Sequence, residues 1–203
     1  MSVQKRPYRM TRRAELEEQT RLRITESAVA LHEEVGPAHT SISAIAERAG
    51  VRRSTVYRHF PDEEALFDAC SSHFRAANPP PDARAWASIE DPAERTRAAL
   101  RDIYAFYAAT EAMYVSLFRD EPLVPPIQRR LRDFYGYLGS IRDDLAAGRG
   151  LRGRRAQYVR AAIGHALAFP TWRSLARDQA LGNDDAVELM SRLVEDAADA
   201  ARP

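Results

Sequence analysis

The stretch TSISAIAERAGVRRSTVYRHF, which runs from Thr40 to Phe60, decides the fold of this chain, because it predicts two short helices joined by a tight turn. Ser41 is placed to cap the first helix, since its hydroxyl can accept a backbone N–H two or three residues further on. The apolar residues of this helix recur at helical spacing on one face, namely Ile42, Ile45, Ala46 and Ala49. Gly50 supplies the left-handed residue that ends the helix and turns the chain.

The second helix begins at about Arg53 and has Val56 and Phe60, four residues apart, as its buried pair. Its opposite side is polar and carries Arg53, Ser54, Thr55, Tyr57, Arg58 and His59. Two helices of this size joined by a glycine turn form a helix-turn-helix, whose second helix fits the major groove of DNA. The alternative interpretation is an ordinary helical hairpin with a solvated polar face.

The same stretch resembles the DNA-binding signature of TetR-family transcriptional regulators. The matching parts are Thr40–Ser41, IAERAGV over Ile45–Val51 and STVYRHF over Ser54–Phe60. The continuation PDEEALFDACSSHF, Pro61–Phe74, is similar to the family's following helix, and the resemblance is dense over Ile24–Phe74. In the family this following helix links the DNA-binding domain to the rest of the protein.

The resemblance also implies roles for individual residues. Ser41 would bind a phosphate while it caps the first helix. Base edges or nearby phosphates would be reached by Ser43, Arg53, Ser54 and Thr55. Of these, Arg53 is the best candidate for a guanine contact, because its fork matches the O6/N7 pair. Phosphates would also be held by Tyr57 and His59, and anchored electrostatically by Arg52 and Arg58.

Two positions depart from the family's pattern. Arg52 stands where a small capping residue is usual, so the second helix lacks a conventional N-cap, and a bound phosphate would satisfy its free amides instead. Glu63 stands where the family usually has Lys at the start of the following helix. This change removes one expected phosphate contact and reduces the share of that helix in DNA binding.

Composition favours helix throughout the chain. The 203 residues are 45% hydrophobic and 29% charged, which allows a buried core and a soluble surface. The 12 prolines and 9 glycines fall mostly in clusters, between segments rich in helix-forming Ala, Leu, Arg and Glu. We therefore predict an all-α fold of about nine helices. It comprises an N-terminal three-helix helix-turn-helix DNA-binding domain and a C-terminal helical bundle domain for ligand binding and dimerisation.

Four segments are expected along the chain: a basic disordered arm over 1–13, the helix-turn-helix domain over 14–60, a linking helix over 61–77, and the ligand-binding and dimerisation domain over 78–203. The arm would follow a DNA groove or phosphates, or remain a solvated tail. Residues 1–60 hold 11 of the 30 basic and 7 of the 29 acidic side chains, so this third is basic and the remainder acidic. Such a distribution is typical of a DNA-binding domain on a soluble body.

Apolar periodicity predicts the individual helices outside the signature. The first would run over 14–35 with a buried stripe of Ile24, Ala28, Leu31 and Val35. The C-terminal domain would contain helices at about 91–110, 112–118, 126–147, 154–181 and 184–200.

The last two predicted helices are the expected dimer contact. The helix over 154–181 is apolar on more than one side, and a helix of this kind must be buried nearly all round. A second copy of the chain would provide that burial over about 154–200, and the segment resembles the family's last two helices, which form a four-helix bundle across a two-fold axis. A monomer that buries both faces internally is the alternative.

Aromatic residues of the C-terminal domain suggest a ligand pocket. The candidates are Tyr104, Tyr107, Phe118, Phe134, His165, Phe169 and Trp172. Apolar side chains with a few polar groups line ligand sites in helical bundles, so a small, uncharged or weakly polar effector would fit. For any single aromatic we favour a plain core position, and for His165 we favour a core histidine over a ligand contact.

Nothing in the sequence supports an enzymatic activity. Gly36 stands where the second His of an H-E-x-x-H motif beginning at His32 would be, and no G-x-S-x-G motif is present. We therefore expect no catalytic residues, no metal site and no cofactor. The single cysteine, Cys70, excludes an internal disulfide, and it is expected to be a small buried hydrophobe rather than a redox sensor.

Nothing in the sequence predicts export or membrane insertion. The N-terminus is charged and lacks the apolar region of a signal peptide. The most apolar stretch, 161–172, is too short to span a bilayer. We expect a cytoplasmic protein.

These patterns together predict a sequence-specific DNA-binding transcriptional regulator. The expected form is a repressor that binds a palindromic operator as a homodimer and is released by a small, largely apolar ligand. The alternative is a DNA-binding regulator without a small-molecule switch, which acts through a protein partner or in chromosome organisation.

Overall fold

A computed structural model describes residues 5–199, with side chains from Arg12 onward. Within these residues the chain forms helices and no strands, which confirms the all-α prediction. The α-helices are α1 Lys5–Glu34, α2 Ile42–Arg48, α3 Arg53–His59, α4 Glu63–Ala77, α5 Pro92–Asp120, α6 Pro125–Ala146, α7 Gly153–Ala166, α8 Phe169–Arg173 and α9 Asn183–Asp199. Short 3-10 turns lie at Pro37–His39 and Ala83–Trp86, and a π-turn lies at Ser174–Asp178.

The chain divides into two compact units. Unit 1 contains Met1–Pro79 with Ala112–Gln128, and unit 2 contains Pro80–Glu111 with Arg129–Pro203. Residues 112–128 therefore cluster with the N-terminal part, although the sequence suggested one domain over 78–203. The boundary between the units falls within α5, which is one continuous helix where we had predicted separate helices over 91–110 and 112–118. Thr110, Glu111 and Ala112 include no residue that would end a helix.

The first helix is longer than predicted. Residues 5–13 of the expected disordered arm belong to α1, and residues 1–4 lie outside the described residues. Pro7 falls in the first turn of α1, where a missing N–H breaks no helical hydrogen bond. The predicted end near Gly36 is confirmed, because α1 stops at Glu34 and Gly36 adopts a positive φ of 91°.

The core of unit 1 is built from one apolar face of each of the first four helices. Its members are Ile24, Ala28, Leu31, Ile45, Ala46, Ala49, Val56, Phe60, Leu66 and Cys70. Val35 was expected in this set but is exposed, because α1 has already ended at Glu34. Burial raises the pKa of the Cys70 thiol to about 12, so the thiol stays protonated at neutral pH. This protonation agrees with Cys70 as a packing residue rather than a redox sensor.

The end of α5 holds the reversal between α1 and α2 within unit 1. The buried carboxylate of Asp120 accepts the Ala38 N–H at 3.0 Å, and Arg119 Nη2 donates to the Val35 carbonyl at 2.7 Å. A Cβ atom at Gly36 would lie 1.9 Å from Arg119 Nη2. The position therefore requires glycine for space as well as for its φ.

The long predicted helix over 154–181 is interrupted in unit 2. The chain leaves helical geometry at Ala168, which is extended, because Pro170 has no N–H to donate to the Ala166 carbonyl and its ring would clash with that carbonyl in a continuous helix. Two buried tyrosines of α5 compensate at this break. Tyr104 donates its hydroxyl to the Ala166 carbonyl at 2.9 Å, and Tyr107 donates to the Leu167 carbonyl at 2.6 Å.

Arg149, in the loop between α6 and α7, joins several parts of unit 2. Its side chain is only 5% exposed. Its Nη1 pairs with Glu195 of α9 at 2.9 Å, while Nη2 donates to Thr96 Oγ1 at 2.7 Å and to the Pro92 carbonyl at 3.0 Å. One guanidinium thus satisfies polar groups of the first turn of α5 and of α9.

We expect Arg149→Ala to lower the free energy of unfolding by about 2–4 kcal/mol, because it removes the hydrogen bonds and the packing of a buried guanidinium. Urea unfolding followed by circular dichroism measures this change. Arg192→Ala is the matched control, since Arg192 is 72% exposed in its pair with Glu188. The control should change stability by less than about 0.5 kcal/mol. Equal losses in the two variants would contradict the assigned role of Arg149.

His32 makes the stability of unit 1 depend on pH. Its ring lies 5.9 Å from the ring of Phe67, and burial lowers its pKa to about 4 against the opposing attraction of Asp120. In the unfolded chain the histidine titrates near 6.5, so between these two values the unfolded state binds more protons. The free energy of unfolding should therefore fall as pH falls from about 6.5 to about 4.

The expected loss attributable to His32 across that window is roughly 2–3 kcal/mol. It is obtained as the difference between the wild type and His32→Gln, each unfolded with urea at pH 7 and at pH 4. Because the variant has no imidazole at this position, it should lose less stability on acidification. If both proteins lose the same amount, His32 does not carry this pH dependence.

Candidate nucleic-acid interface

The first helix of the predicted motif forms as expected. Ser41 Oγ accepts the Ala44 N–H at 3.1 Å, so Ser41 is the N-cap of α2. Gly50 follows α2 with a φ of 65°, and a Cβ there would meet no atom within 4 Å. The turn closes when the Val51 N–H donates to the Ala46 carbonyl at 2.9 Å. The capping and the left-handed turn predicted from the sequence are therefore confirmed.

The second helix, α3, turns its apolar side to the core of unit 1. Val56 is fully buried, and Phe60, the residue that ends the helix, is 1% exposed. Arg52 occupies the N-cap position of α3 and makes no capping hydrogen bond with its side chain, as the departure from the family's pattern suggested. The opposite side of α3 is thus left free for another molecule.

The structure brings the nine predicted DNA-contact residues onto α2, α3 and the turn between them. Seven of them are exposed, namely Ser41, Ser43, Arg52, Arg53, Ser54, Tyr57 and Arg58, and Thr55 and His59 are half-buried. Tyr57 is 44% exposed, which is unusual for a large aromatic side chain beside a well-packed core. Residues 51–61 include three arginines and no acid, so this surface is positively charged.

His59 differs from the other members of the set. Its Nε2 atom is buried and has no hydrogen-bond partner within the described chain. Burial lowers the pKa of His59, and the charges of Arg58 and Arg21 lower it further, against weaker opposing effects of Glu17 and Glu18. A neutral imidazole with a covered Nε2 is poorly placed to hold a phosphate, so the role expected for His59 needs a change of side-chain conformation.

Arg21 belongs to α1 and contacts the C-terminal end of α3. It was not predicted from the sequence as a site residue. Its Nη1 donates to the His59 carbonyl at 2.9 Å, and its guanidinium carbon lies 4.3 Å from the centre of the Phe60 ring. A surface cleft of about 310 Å³ surrounds these contacts and is lined by Ala14, Glu17, Glu18, Arg21, Arg58 and His59. No local motif marks Arg21, because its partners lie 38 residues further along the chain.

Asp62 is the N-cap of α4. Asp62 accepts the Ala65 N–H at 2.7 Å, and the exposed Glu63 and Glu64 follow in the first turn. Acidic side chains are favourable at the positive end of the helix dipole. They also leave this end of α4 without a basic side chain for a phosphate.

The seven predicted ligand-pocket residues are divided between the two units. Phe118 belongs to unit 1, and His165 is exposed, with its Nδ1 3.3 Å from the Thr171 hydroxyl. His165 is therefore not the core histidine we had favoured.

The remaining aromatics of unit 2 pack against one another. Tyr107 is at the centre, with ring centroids 5.2 Å from Phe169, 5.8 Å from Trp172, 6.3 Å from Phe134 and 6.4 Å from Tyr104. The Trp172 indole N–H donates to the Asn183 side chain at 3.0 Å. Since these tyrosine and tryptophan donors already have protein partners, the cluster is a packed core around Tyr107.

Neither a metal site nor a membrane-spanning helix is found among the described residues. No group of three or more His, Cys, Asp or Glu side chains in this part of the chain is arranged to hold a metal ion. None of its helices is both long and apolar enough to cross a membrane.

The geometry of α2, the Gly50 turn and α3 defines a helix-turn-helix, and its exposed basic side defines the class of protein as a DNA-binding regulator. Residues 24–70 match the family model of bacterial regulatory proteins, tetR family. This part of the chain is thus a DNA-binding domain of the tetR family, as the resemblance in its sequence had indicated. The family's description names regulators rather than enzymes.

Solved structures show the same fold over nearly the whole chain. A regulator from Clostridium perfringens has a TM-score of 0.62 at 15% identity, with 86% of this chain and 97% of that chain covered. A TetR-like transcriptional regulator from Rhodococcus sp. RHA1 has a TM-score of 0.59 at 19% identity, covering 91% and 96%. NalD, the secondary repressor of the MexAB-OprM multidrug efflux pump in Pseudomonas aeruginosa, has a TM-score of 0.57 at 20% identity, covering 89% and 96%. No curated protein sequence matches the chain.

Proposed function

We propose that this protein is a repressor that binds a palindromic operator as a homodimer and is released by a small, largely apolar ligand. The observation that carries the DNA-binding part is the exposed side of α3. Arg53, Ser54, Tyr57 and Arg58 lie on the surface while Val56 is fully buried. A regulator of this kind works in the cytoplasm, where its operator is accessible.

On the exposed side of the motif, some residues suit base contacts, which give sequence specificity, and others suit phosphate contacts, which give affinity. Arg53, in the first turn of α3, has a planar guanidinium that can bind O6 and N7 of one guanine. Ser43, Ser54 and Thr55 are short and suit contacts with nearby bases or phosphates. Phosphate contacts are assigned to Ser41 and Tyr57, and to His59 after a change of its side-chain conformation, with Arg52 and Arg58 as electrostatic anchors.

We expect Arg53→Ala to lower the preference for the operator over a scrambled duplex by about 10-fold to 100-fold, because a good bidentate base contact contributes about 1–3 kcal/mol. Tyr57→Phe should weaken binding to both duplexes by a similar factor, since it removes a phosphate contact that carries no sequence information. Fluorescence anisotropy at fixed salt, with duplexes selected from a random library, measures both effects.

The DNA preference of the wild-type protein tests this proposal directly. It should prefer its own upstream region to random duplex of the same length, with binding that weakens steeply as salt rises. The absence of any such preference would exclude a sequence-specific regulator.

The surface of α7 and α9 supports the proposed homodimer. Leu189 and Leu193 of α9 are 45% and 41% exposed, and Tyr158 of α7 is 37% exposed. The two helices also carry opposite charge, because α7 has three arginines and no acid, whereas α9 has six acids and one arginine. In a two-fold dimer, α7 of one copy can therefore face α9 of the other without repulsion between like charges.

We expect the double variant Leu189→Asp and Leu193→Asp to sediment as a monomer at micromolar concentration, because it would bury two carboxylates in an apolar contact. The matched control is Leu123→Asp, since Leu123 is 69% exposed and belongs to unit 1. The control should remain dimeric in sedimentation velocity. A dimeric double variant would show that the contact lies elsewhere.

The proposed apolar effector would act through the C-terminal aromatic residues. The aromatic cluster around Tyr107 would accept an uncharged molecule, and α5 continues from this cluster into unit 1. The packed state of the cluster favours the alternative, a DNA-binding regulator without a small-molecule switch that acts through a protein partner or in chromosome organisation. A thermal-shift screen of neutral aromatic compounds separates the two, because only an effector would both stabilise the protein and release it from DNA.

A further inference from the structure

We propose that Arg21 is a positioning residue for DNA recognition, which fixes the C-terminal end of α3 against α1. This inference rests on the proposed DNA-binding function of α3. It depends on two contacts, the hydrogen bond from Arg21 Nη1 to the His59 carbonyl and the placement of the guanidinium over the Phe60 ring. We refer to these two contacts as the Arg21 contacts.

The hydrogen bond satisfies a group that the helix itself leaves free. The last carbonyls of a helix have no partner within it, and they form the negative end of its dipole. In α3 the final helical bond is from the Phe60 N–H to the Val56 carbonyl at 2.8 Å. The His59 carbonyl lies beyond that bond, and the cationic donor that reaches it comes from another helix.

The ring contact ties the same guanidinium to the core. Phe60 is 1% exposed and belongs to the core of unit 1 with Val56 and Ile24. A guanidinium over an aromatic face is attracted by the electrons of the ring. Arg21 therefore joins a rigid part of α1 to the residues that immediately follow Tyr57 and Arg58.

A short helix needs such an external contact. The seven residues of α3 form about two turns, and a helix of this length is not stable by its own hydrogen bonds. Val56 and Phe60 fix the apolar side of α3 in the core, but apolar packing is non-directional. The Arg21 contacts add a directional fixed point at the C-terminal end, which sets the angle at which Arg53 and Tyr57 meet the groove.

The chief alternative is that Arg21 binds a DNA phosphate directly. Among residues 12–199, none of the ion pairs includes Arg21, so its charge is matched by a carbonyl and a ring rather than by a carboxylate. A phosphate ligand and a positioning residue differ in two measurable respects. Removal of a phosphate contact lowers the slope of log affinity against log salt by about 0.9, whereas loss of positioning leaves that slope unchanged.

The test compares Arg21→Gln and Arg21→Lys in the full-length protein. Lysine keeps the charge but lacks the planar fork that lies over the ring. Each variant is titrated with the duplex that the wild type selects from a random library and with a scrambled duplex, between 50 and 250 mM KCl. Arg23→Gln is the control, because Arg23 is an exposed α1 arginine two residues away.

We expect both Arg21 variants to lower the preference for the selected duplex by about 10-fold, with an unchanged salt slope on the scrambled duplex. Arg23→Gln should keep the wild-type preference. Full affinity in Arg21→Lys together with a lower salt slope in Arg21→Gln would overturn the proposal in favour of a phosphate contact. Wild-type preference in both Arg21 variants would also overturn it.

Amide hydrogen exchange tests the positioning without DNA. In Arg21→Gln the Val56 and Phe60 amides of α3 should exchange about 10-fold faster, while the Ala49 amide at the end of α2 should not change. Phe60→Leu, which keeps an apolar side chain but removes the ring, should reduce the effect of Arg21→Gln when the two are combined. Equal acceleration in α2 and α3 would mean that Arg21 only stabilises the domain, and would overturn the proposal.

The two measurements separate the failure of this proposal from the failure of the proposed function. If the wild type prefers no duplex, the DNA-binding function fails, while the exchange data still report whether Arg21 holds α3. If the wild type prefers its selected duplex and the Arg21 variants behave like it, the function stands and the positioning role fails.

Discussion

The burial of Val56 and Phe60 is the interaction on which the DNA-binding part of the molecule depends. Seven residues of α3 do not form a stable helix in water, so the helix exists because these side chains complete a core built by α1, α2 and α4. The same packing turns Arg53, Ser54, Tyr57 and Arg58 outward. Stability and recognition therefore come from opposite sides of one short helix, and a change in the core would alter the angle of the recognition surface.

Charged groups bound to backbone atoms complete this arrangement at both ends of the motif. Asp120 and Arg119 hold the turn that leads into α2, through the Ala38 N–H and the Val35 carbonyl. Arg21 holds the end of α3 through the His59 carbonyl. In each case a side chain distant in sequence satisfies a polar backbone group that a helix end or a turn leaves unpaired. These contacts limit the orientations available to α2 and α3 more strongly than apolar packing alone.

In unit 2, side chains distant in sequence likewise satisfy polar groups at a break between helices, and here they are aromatic. Tyr104 and Tyr107 each donate a hydroxyl to a carbonyl at the break between α7 and α8, and Trp172 donates to Asn183. Aromatic side chains that looked like pocket walls in the sequence are thus engaged in the core. An apolar and amphipathic composition is common to pockets and cores, so only the partners of the polar atoms distinguish them.

The sequence by itself determined the motif, its caps and its exposed side, because these follow from contacts within a few residues. Ser41, Gly50, Asp62 and the spacing of Ile42, Ile45 and Val56 act locally, through helix ends and periodicity. Only the tertiary structure decided that α5 continues without a break, that His59 is half-buried, and that Arg21 meets Phe60. Those features depend on partners tens of residues away, and the local sequence pattern contains no signal for them.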